Sequence, residues 1–369
     1  MIFILVFATA FLVALVMTPL AAHLAPRLGT MDQPGTRRVH TVPTPRLGGL
    51  PLFTAFFAAL AVSLLYPRTD KDELLRLTGL FAGTLLLFLV GAYDDHREIK
   101  PLPQLAAQIG AAVLAVISGV LIREVQNPLG EKITLDLWFA IPFTVFWLVG
   151  MTNTVNWLDG IDGLAGGVVA IAGMLLFVHT LRTEQHSIAL IALALCGAVL
   201  GFLVFNLPPA RIFMGSSGAL VLGFVLGVLS IIGAARVAFL LLVLGIPIVD
   251  VAWQILTRVR AGKSPFYATR THLHHRLLDA GLSQRSILWL YYIFTAISGV
   301  LALVLPLGSY KLIAILVIGA GAVLLLIRAS QMAQPAPSGQ EPVASPGQAG
   351  PAVPPEPQAE VETKPVPRG

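Results

Sequence analysis

Charge is scarce in this sequence: Asp, Glu, Lys and Arg make up 12% of its 369 residues, where a soluble domain carries about a quarter. With 56% hydrophobic residues, a soluble fold is excluded, because no soluble core could hide so much apolar surface. Cysteine is almost absent as well. Cys196 is the one thiol and lies inside an apolar run, which excludes a disulfide framework and reads as an inert buried thiol. The first 22 residues lack the basic start of a secretory signal, and the first positive charges, Arg27, Arg37 and Arg38, come after the apolar stretch. That order predicts a retained first helix with its N-terminus outside the cytoplasm. An internal repeat of the kind that marks many transporters is also missing. The net charge of +5 would suggest nucleic acid in a soluble protein. Here the basic residues sit in short loops between apolar runs, where they act as topology determinants, and a nucleic-acid partner is discarded.

What the sequence has in quantity is long apolar runs. A bilayer core about 30 Å thick demands helices of roughly 20 apolar residues, since lipid offers the backbone no other hydrogen-bonding partner. Eleven runs qualify, near 1 to 22, 47 to 66, 76 to 93, 104 to 122, 137 to 156, 163 to 181, 188 to 207, 218 to 234, 237 to 257, 286 to 305 and 312 to 328. The expectation is an all-α polytopic membrane bundle of about 11 transmembrane helices over residues 1 to 330, N-terminus outside and C-terminus cytoplasmic. In that orientation the inner loops carry 14 basic residues and the outer ones 8, as the positive-inside rule requires. Residues 331 to 369 hold ten of the 26 prolines without apolar periodicity, and read as a disordered Pro/Ala/Gln-rich cytoplasmic tail.

Four polar constellations from distant parts of the chain fall on the inner face in this topology. Asp94 and Asp95 end the third run. Adjacent carboxylates there read either as a solvated helix end or as a divalent-metal or phosphate-chemistry site, because Mg²⁺ is usually held by one or two carboxylates plus substrate phosphates. In NTVNWLDGIDGLAGG, Asn153, Asn156, Asp159 and Asp162 stand three apart, a spacing that shares one helical face, and the EF-hand register of a Ca²⁺ loop is absent. THLHHRLLDAG supplies His272, His274, His275 and Arg276 after a run of basic residues. No cysteine is near to support zinc, so anion binding, above all of phosphate, is the better reading. The loop MDQPGTRRVHTVPTPRLGG carries Asp32, Arg37, Arg38, His40 and Arg46 among prolines that fix its path, although positive-inside bias alone explains the arginines. Together these groups suit a reaction between a charged cytosolic phosphate compound and a lipid.

At these residues the chain resembles the polyprenyl-phosphate N-acetylhexosamine-1-phosphate transferase superfamily, glycosyltransferase family 4, over about residues 1 to 328. The resemblance rests on DQPGTRRVHTVPTPRLGG, the DD pair, NTVNWLDGIDGL, FMGSSGALVLGF, PIVD and SPFYATRTHLHHRL. Its PRLGG and HLHH forms are more similar to the undecaprenyl-phosphate GlcNAc-1-phosphate branch than to the muramyl-pentapeptide branch. The resemblance implies transfer of a sugar 1-phosphate from a UDP-sugar, in that branch UDP-GlcNAc, to undecaprenyl phosphate with release of UMP. It also implies Mg²⁺, a place in the inner (plasma) membrane with the active site cytoplasmic, and a first membrane step in cell-envelope glycan synthesis. Carried over residue by residue, Asp94, Asp95, Asp159 and Asp162 are catalytic. Asp94, Asp95 and Asp159 are metal ligands, and Asn153, Asn156, His272, His274, His275, Arg276, His40 and Arg46 bind substrate. The chain departs from the pattern at Gln104, at Thr269 and at Ser216, where the family usually carries a metal-ligating aspartate.

Two other classes stay open at this point: a degenerate homologue that binds lipid phosphate or nucleotide sugar without turnover, and a transporter. Few ionisable residues lie deep in the spans, Asp250 of PIVD being the exception, which counts against a transport path. A homodimer is compatible with such a bundle, and the sequence assigns no oligomeric state.

Overall fold

The computed structural model describes residues 1–34, 42–127, 131–233, 236–264, 271–305 and 308–332. Its helices are α1 (Ile2–Leu28), α2 (Gly49–Ser63), α3 (Glu73–Arg97), α4 (Pro101–Ile117), α5 (Leu137–Leu158), α6 (Leu164–Arg182) and α7 (His186–Asn206). They continue with α8 (Gly215–Ile232), α9 (Arg236–Val243), α10 (Gly245–Arg260), α11 (Leu273–Asp279), α12 (Gln284–Val304) and α13 (Ser309–Met332). The disordered tail expected at 331 to 369 falls outside the described residues, except for Gln331 and Met332, which end α13.

Among the described residues, eight helices are long and apolar enough to cross a membrane. α9 and α10 add a ninth if taken together, and α2 and α4 are shorter apolar helices. The protein is therefore an all-α, multi-span membrane protein. α7 and α8 are buried almost end to end and form its centre, whereas α1 and α13 show most of their surface outward. Such a partition needs no polar outer face, because lipid solvates Leu and Ile side chains as well as a core does. Where polar side chains occur inside, they tie helices together: Trp147 Nε1 of α5 donates to Ser230 Oγ of α8 at 3.0 Å. At the end of α3 remote from the aspartate pair, buried Glu73 is paired with Arg68 and accepts from Ser187 Oγ at 2.7 Å.

The run expected as one straight helix near 237 to 257 is broken. α9 and α10 meet at Leu244 with an 89° bend, where Gly245 and Pro247 supply the usual causes of a sharp kink, a flexible backbone and a missing N–H. α10 is also turned inside out relative to a soluble helix. Asp250, Gln254 and Arg258 are buried while Ile255, Leu256 and Val259 are exposed, as suits a helix with lipid on one side and protein on the other.

Two small ladders close the loops. β1 (Met31–Asp32) pairs antiparallel with β2 (Thr44–Pro45), which returns the chain to the membrane face at Arg46. β3 (Glu124–Gln126) pairs with β4 (Lys132–Thr134) between α4 and α5. The 22 residues of α5 span about 33 Å at 1.5 Å per residue, so this second hairpin lies at the end of α5 opposite the Asp159 loop.

Candidate active site

Asp95 stands at the centre of the first cluster. It ends α3 beneath the N-terminus of α8, and its fully buried carboxylate takes four donors. Oδ1 accepts from Ser216 N–H at 2.7 Å and pairs with Arg46 Nε at 3.0 Å. Oδ2 accepts from Ser217 N–H at 3.1 Å and from Ser217 Oγ at 2.6 Å. Those are the first backbone donors of α8, which have no helical partner of their own and carry the positive end of its dipole. Gly215 makes the approach possible: it holds φ +71°, and a Cβ there would stand 2.5 Å from Asp95 Oδ2. Arg46 Nη2 donates to Ser216 Oγ at 3.3 Å, so one guanidinium ties the PRLGG loop to both α3 and α8.

Asp94 points elsewhere, because neighbours on a helix do not share a face. It is half-buried, and Oδ1 accepts from Ile99 N–H at 2.8 Å. The two aspartates, both expected as metal ligands, therefore have different surroundings. A carboxylate offers about four acceptor positions, and those of Asp95 are all taken by protein donors.

The second cluster is the loop from Asp159 to Gly163. α5 ends at Leu158 and Asp159 caps it, so Asn153 and Asn156 lie on the helix and Asp159 and Asp162 at its end and in the following loop. The loop is held by Asn206 Oδ1, which accepts from Gly163 N–H at 3.1 Å, and by Tyr292 OH, which donates to Gly163 O at 2.6 Å. Ala210 N–H donates to Asp162 Oδ2 at 3.0 Å. Burial pushes the Asp159 carboxyl up to about 7; Arg46 pulls it down, and the negative charges of Asp95 and Asp162 push it further up. The first and second clusters are thus one electrostatic unit. Beside them opens a cleft of about 440 Å³ whose lining includes Asp162, Phe213, Thr44, Gln284 and Arg285.

Asn153 is engaged by another helix. Its Nδ2 donates to Gln108 Oε1 at 2.6 Å and to Val149 O at 2.9 Å, and its Oδ1 accepts from Gln108 Nε2 at 3.3 Å. The amide expected to bind substrate is spent on joining α5 to α4. The half-buried Asn156 side chain makes no hydrogen bond with a described residue.

The histidines form the third cluster. His272 caps α11, and its ring lies 5.6 Å from that of Trp157, over which Arg258 sits at 5.3 Å. His274 is buried against the second cluster: a Cβ on Gly160 would stand 2.1 Å from His274 Nε2, so only glycine fits there. Both ring nitrogens of His274 are buried without a hydrogen-bond partner among the described residues. Burial, followed by the neighbouring His275 and His272, holds it well below the usual histidine range, so it is neutral. The ring of His275 lies 4.3 Å from that of His274. Arg276, expected on the substrate, donates from Nε to Thr271 O at 2.6 Å and from Nη1 to Ser330 Oγ, bracing α11 against α13. His40, Arg37, Arg38, Thr269 and Arg270 lie outside the described residues.

The fold thus brings Arg46, Asp95, Asp159, Asp162, Trp157, His272 and His274 together from four segments. Asn206, Tyr292, Gln108, Gln254 and the anchoring use of Asp250 were not anticipated. The signal for them is a lone amide, carboxylate or phenol inside an apolar run, which is costly unless it is partnered.

Among the described residues, no three Asp, Glu, His or Cys side chains form a ready-made ion cage. Asp159, a half-buried carboxyl crowded by other negative charge, and Asp94, with one oxygen engaged, fit as oxygen donors to a divalent cation. Ser216→Asp is a direct test of the missing ligand. A carboxylate there is favoured by the α8 N-terminus and by Arg46, so the variant is expected to fold and to need less Mg²⁺ for half-maximal activity. An unchanged Mg²⁺ titration in the folded variant refutes the idea that Ser216 occupies a ligand position.

A family model described as glycosyl transferase family 4 matches residues 77–234. The chain is 34% identical over 307 residues to the probable undecaprenyl-phosphate N-acetylglucosaminyl 1-phosphate transferase of Bacillus subtilis (strain 168), covering 81% of this chain and 84% of that protein. It is 35% identical over 305 residues to the decaprenyl-phosphate N-acetylglucosaminephosphotransferase of Mycobacterium tuberculosis (strain ATCC 25618 / H37Rv), covering 74% and 75%. Similarity extends, at 32% over 268 residues, to the phospho-N-acetylmuramoyl-pentapeptide-transferase of Streptococcus uberis (strain ATCC BAA-854 / 0140J), covering 67% and 78%.

Proposed function

We propose that this chain, which belongs to glycosyl transferase family 4 and is a membrane enzyme that transfers a sugar 1-phosphate to a polyprenyl phosphate, uses UDP-GlcNAc as its donor and undecaprenyl phosphate as its acceptor. An oxygen of the lipid phosphate bonds to the phosphorus that bears the sugar, the bond to the bridging oxygen breaks, and UMP leaves. The observation that carries the reading is the Asp159–Asp162 loop. It is wedged between the Arg46–Asp95 cluster on one side and His274 on the other, beside a cleft large enough for a nucleotide. Phe213 offers that cleft an aromatic face for a base, and Asp162 offers an acceptor for the imide N–H of uracil. The GlcNAc assignment is supported by the names of the Bacillus and Mycobacterium relatives and by the PRLGG and HLHH forms.

Mg²⁺, when bound, supplies charge neutralisation for the diphosphate. Asp94 and Asp159 are the carboxylates proposed to hold it, Asn156 and Asp162 face the nucleotide, and His272 and His275 face the phosphates. The test is UMP release from UDP-GlcNAc with undecaprenyl phosphate and Mg²⁺. Release from UDP-MurNAc-pentapeptide alone would replace the donor, and no release from either would leave a binding protein without turnover.

The proposed topology counts the eight long helices, α2, α4 and the bent α9–α10 pair as eleven spans, with the active-site face cytoplasmic and the chain in the inner (plasma) membrane. A reporter fused after Met332 is then expected in the cytoplasm and one inserted at Asn127, by the β3–β4 hairpin, outside. A cytoplasmic signal at Asn127 would overturn the orientation.

A further inference from the structure

Asp250 and Gln254 stand one helical turn apart on α10, on one face, and both are buried. Both are spent on the same three residues of another segment. Asp250 Oδ2 lies 2.9 Å from His272 Nδ1, and Oδ1 accepts from Leu273 N–H at 3.0 Å. Gln254 donates from Nε2 to Thr271 O and accepts from the Thr271 hydroxyl. α10 therefore grips Thr271, His272 and Leu273 at four points. Two polar side chains buried in a segment that is otherwise apolar on its outer face are costly to keep, and a simple tether between α10 and α11 would not need a carboxylate.

The carboxylate has a consequence an amide would not have. Ionised, Asp250 can only accept, so the nitrogen facing it carries the proton and the lone pair of a neutral His272 ring is left on Nε2. The ring also lies 5.6 Å from that of Trp157, two residues before Asp159. Charged and titratable groups facing the pair come from each neighbouring element: Arg258 of α10, His274 and Arg276 of α11, and Tyr291 of α12.

We propose that Asp250 is a positioning residue for the transfer: it fixes His272 as the Nδ1–H tautomer and presents the Nε2 lone pair as acceptor for the acid proton of the lipid phosphate, whose oxygen then bonds to the donor's phosphorus, while Gln254 locks the segment that carries the ring. The inference rests on the transfer reaction proposed above. It adds a residue to the reaction that touches no substrate and acts through His272.

The discriminating variant is Asp250→Asn. The asparagine carbonyl keeps the Leu273 N–H bond, and its amide N–H turns toward His272 Nδ1, which forces the ring proton onto Nε2. A fall in kcat of about a hundredfold is expected, on the scale of a misplaced acid–base group, with KM for UDP-GlcNAc within about threefold. In a His272→Ala background the same change is expected to cost less than about twofold, because residues acting as a unit are not additive. An unchanged kcat, or a second full loss on top of His272→Ala, would overturn the proposal. A measurement on the unaltered protein keeps the test open if Asp250→Asn does not fold. ¹⁵N-histidine NMR in bilayers at alkaline pH, with the His272 signal assigned by its loss in His272→Ala, is expected to show the proton on Nδ1. A proton on Nε2 sinks the proposal. That readout needs no substrate, so a protein that releases no UMP would refute the reaction while the tautomer is still judged separately.

Discussion

Asp159→Asn is expected to lower UMP release by at least about a hundredfold, the loss that follows removal of a positioned acid–base or charge-stabilising group, without loss of fold. The reason lies in the pH behaviour of the carboxyl. Burial and two neighbouring aspartates raise it to about 7 from an ordinary 3.8. Below pH 7 the folded protein holds a proton there, and above it the carboxylate is free to meet a cation. Wild-type activity at low Mg²⁺ is therefore expected to rise through about pH 7, and the inflection is expected to move to lower pH as Mg²⁺ increases, since the ion competes with the proton. In the asparagine variant that inflection disappears. The stability sign runs the other way. A carboxyl with a raised folded-state pKa favours the folded state while protonated, and that advantage is lost as pH rises from 3.8 to about 7. At pH 8 the variant should be at least as heat-resistant as the wild type. A collapse in both activity and thermal stability would mean that Asp159 serves the fold and not the reaction.

Asp95→Asn is expected to cost activity on a similar scale and, unlike Asp159→Asn, to cost stability. The amide can replace only one of two acceptor oxygens. Its NH2 would face Ser217 N–H or Ser216 N–H, both donors, and Arg46 would lose its charge partner. Breaking a buried pair in this way costs about 3 kcal/mol, enough to lower the unfolding temperature in detergent by several degrees. Because Arg46 bridges the PRLGG loop to Ser216, the loop between α1 and α2 should also become more accessible to protease. Wild-type thermal stability in Asp95→Asn would refute the anchoring role and return Asp95 to the set of free metal ligands.

The contrast between these neighbouring positions marks how far the residues could be read in isolation. Asp94 and Asp95 were legible as a pair at a membrane boundary, but not as one anchored and one available carboxylate. That division depends on which of them meets the α8 N-terminus, more than a hundred residues further along the chain. Asn153 shows the same dependence. Its regular spacing from Asn156 and Asp159 is real, yet Gln108 of α4 satisfies its amide, and a lone glutamine in an apolar run does not announce its partner. The bend at Leu244 was hidden as well, although Gly245 and Pro247 mark the place.

By itself the sequence determined that the chain lives in a bilayer, roughly where its helices run, and which polar motifs crowd one face. Those follow from composition, run length and charge bias, all local properties set by the cost of putting polar groups in lipid. Only the tertiary structure decided the roles within the motifs. It buried Asp95 under α8, stopped α5 so that Asp159 faces two other aspartates, pressed His274 onto Gly160 and gave His272 to Asp250. The physical reason is that a polar group's function in a low-dielectric interior depends on the donors and charges within a few ångströms. In this protein those neighbours come from helices far apart in sequence.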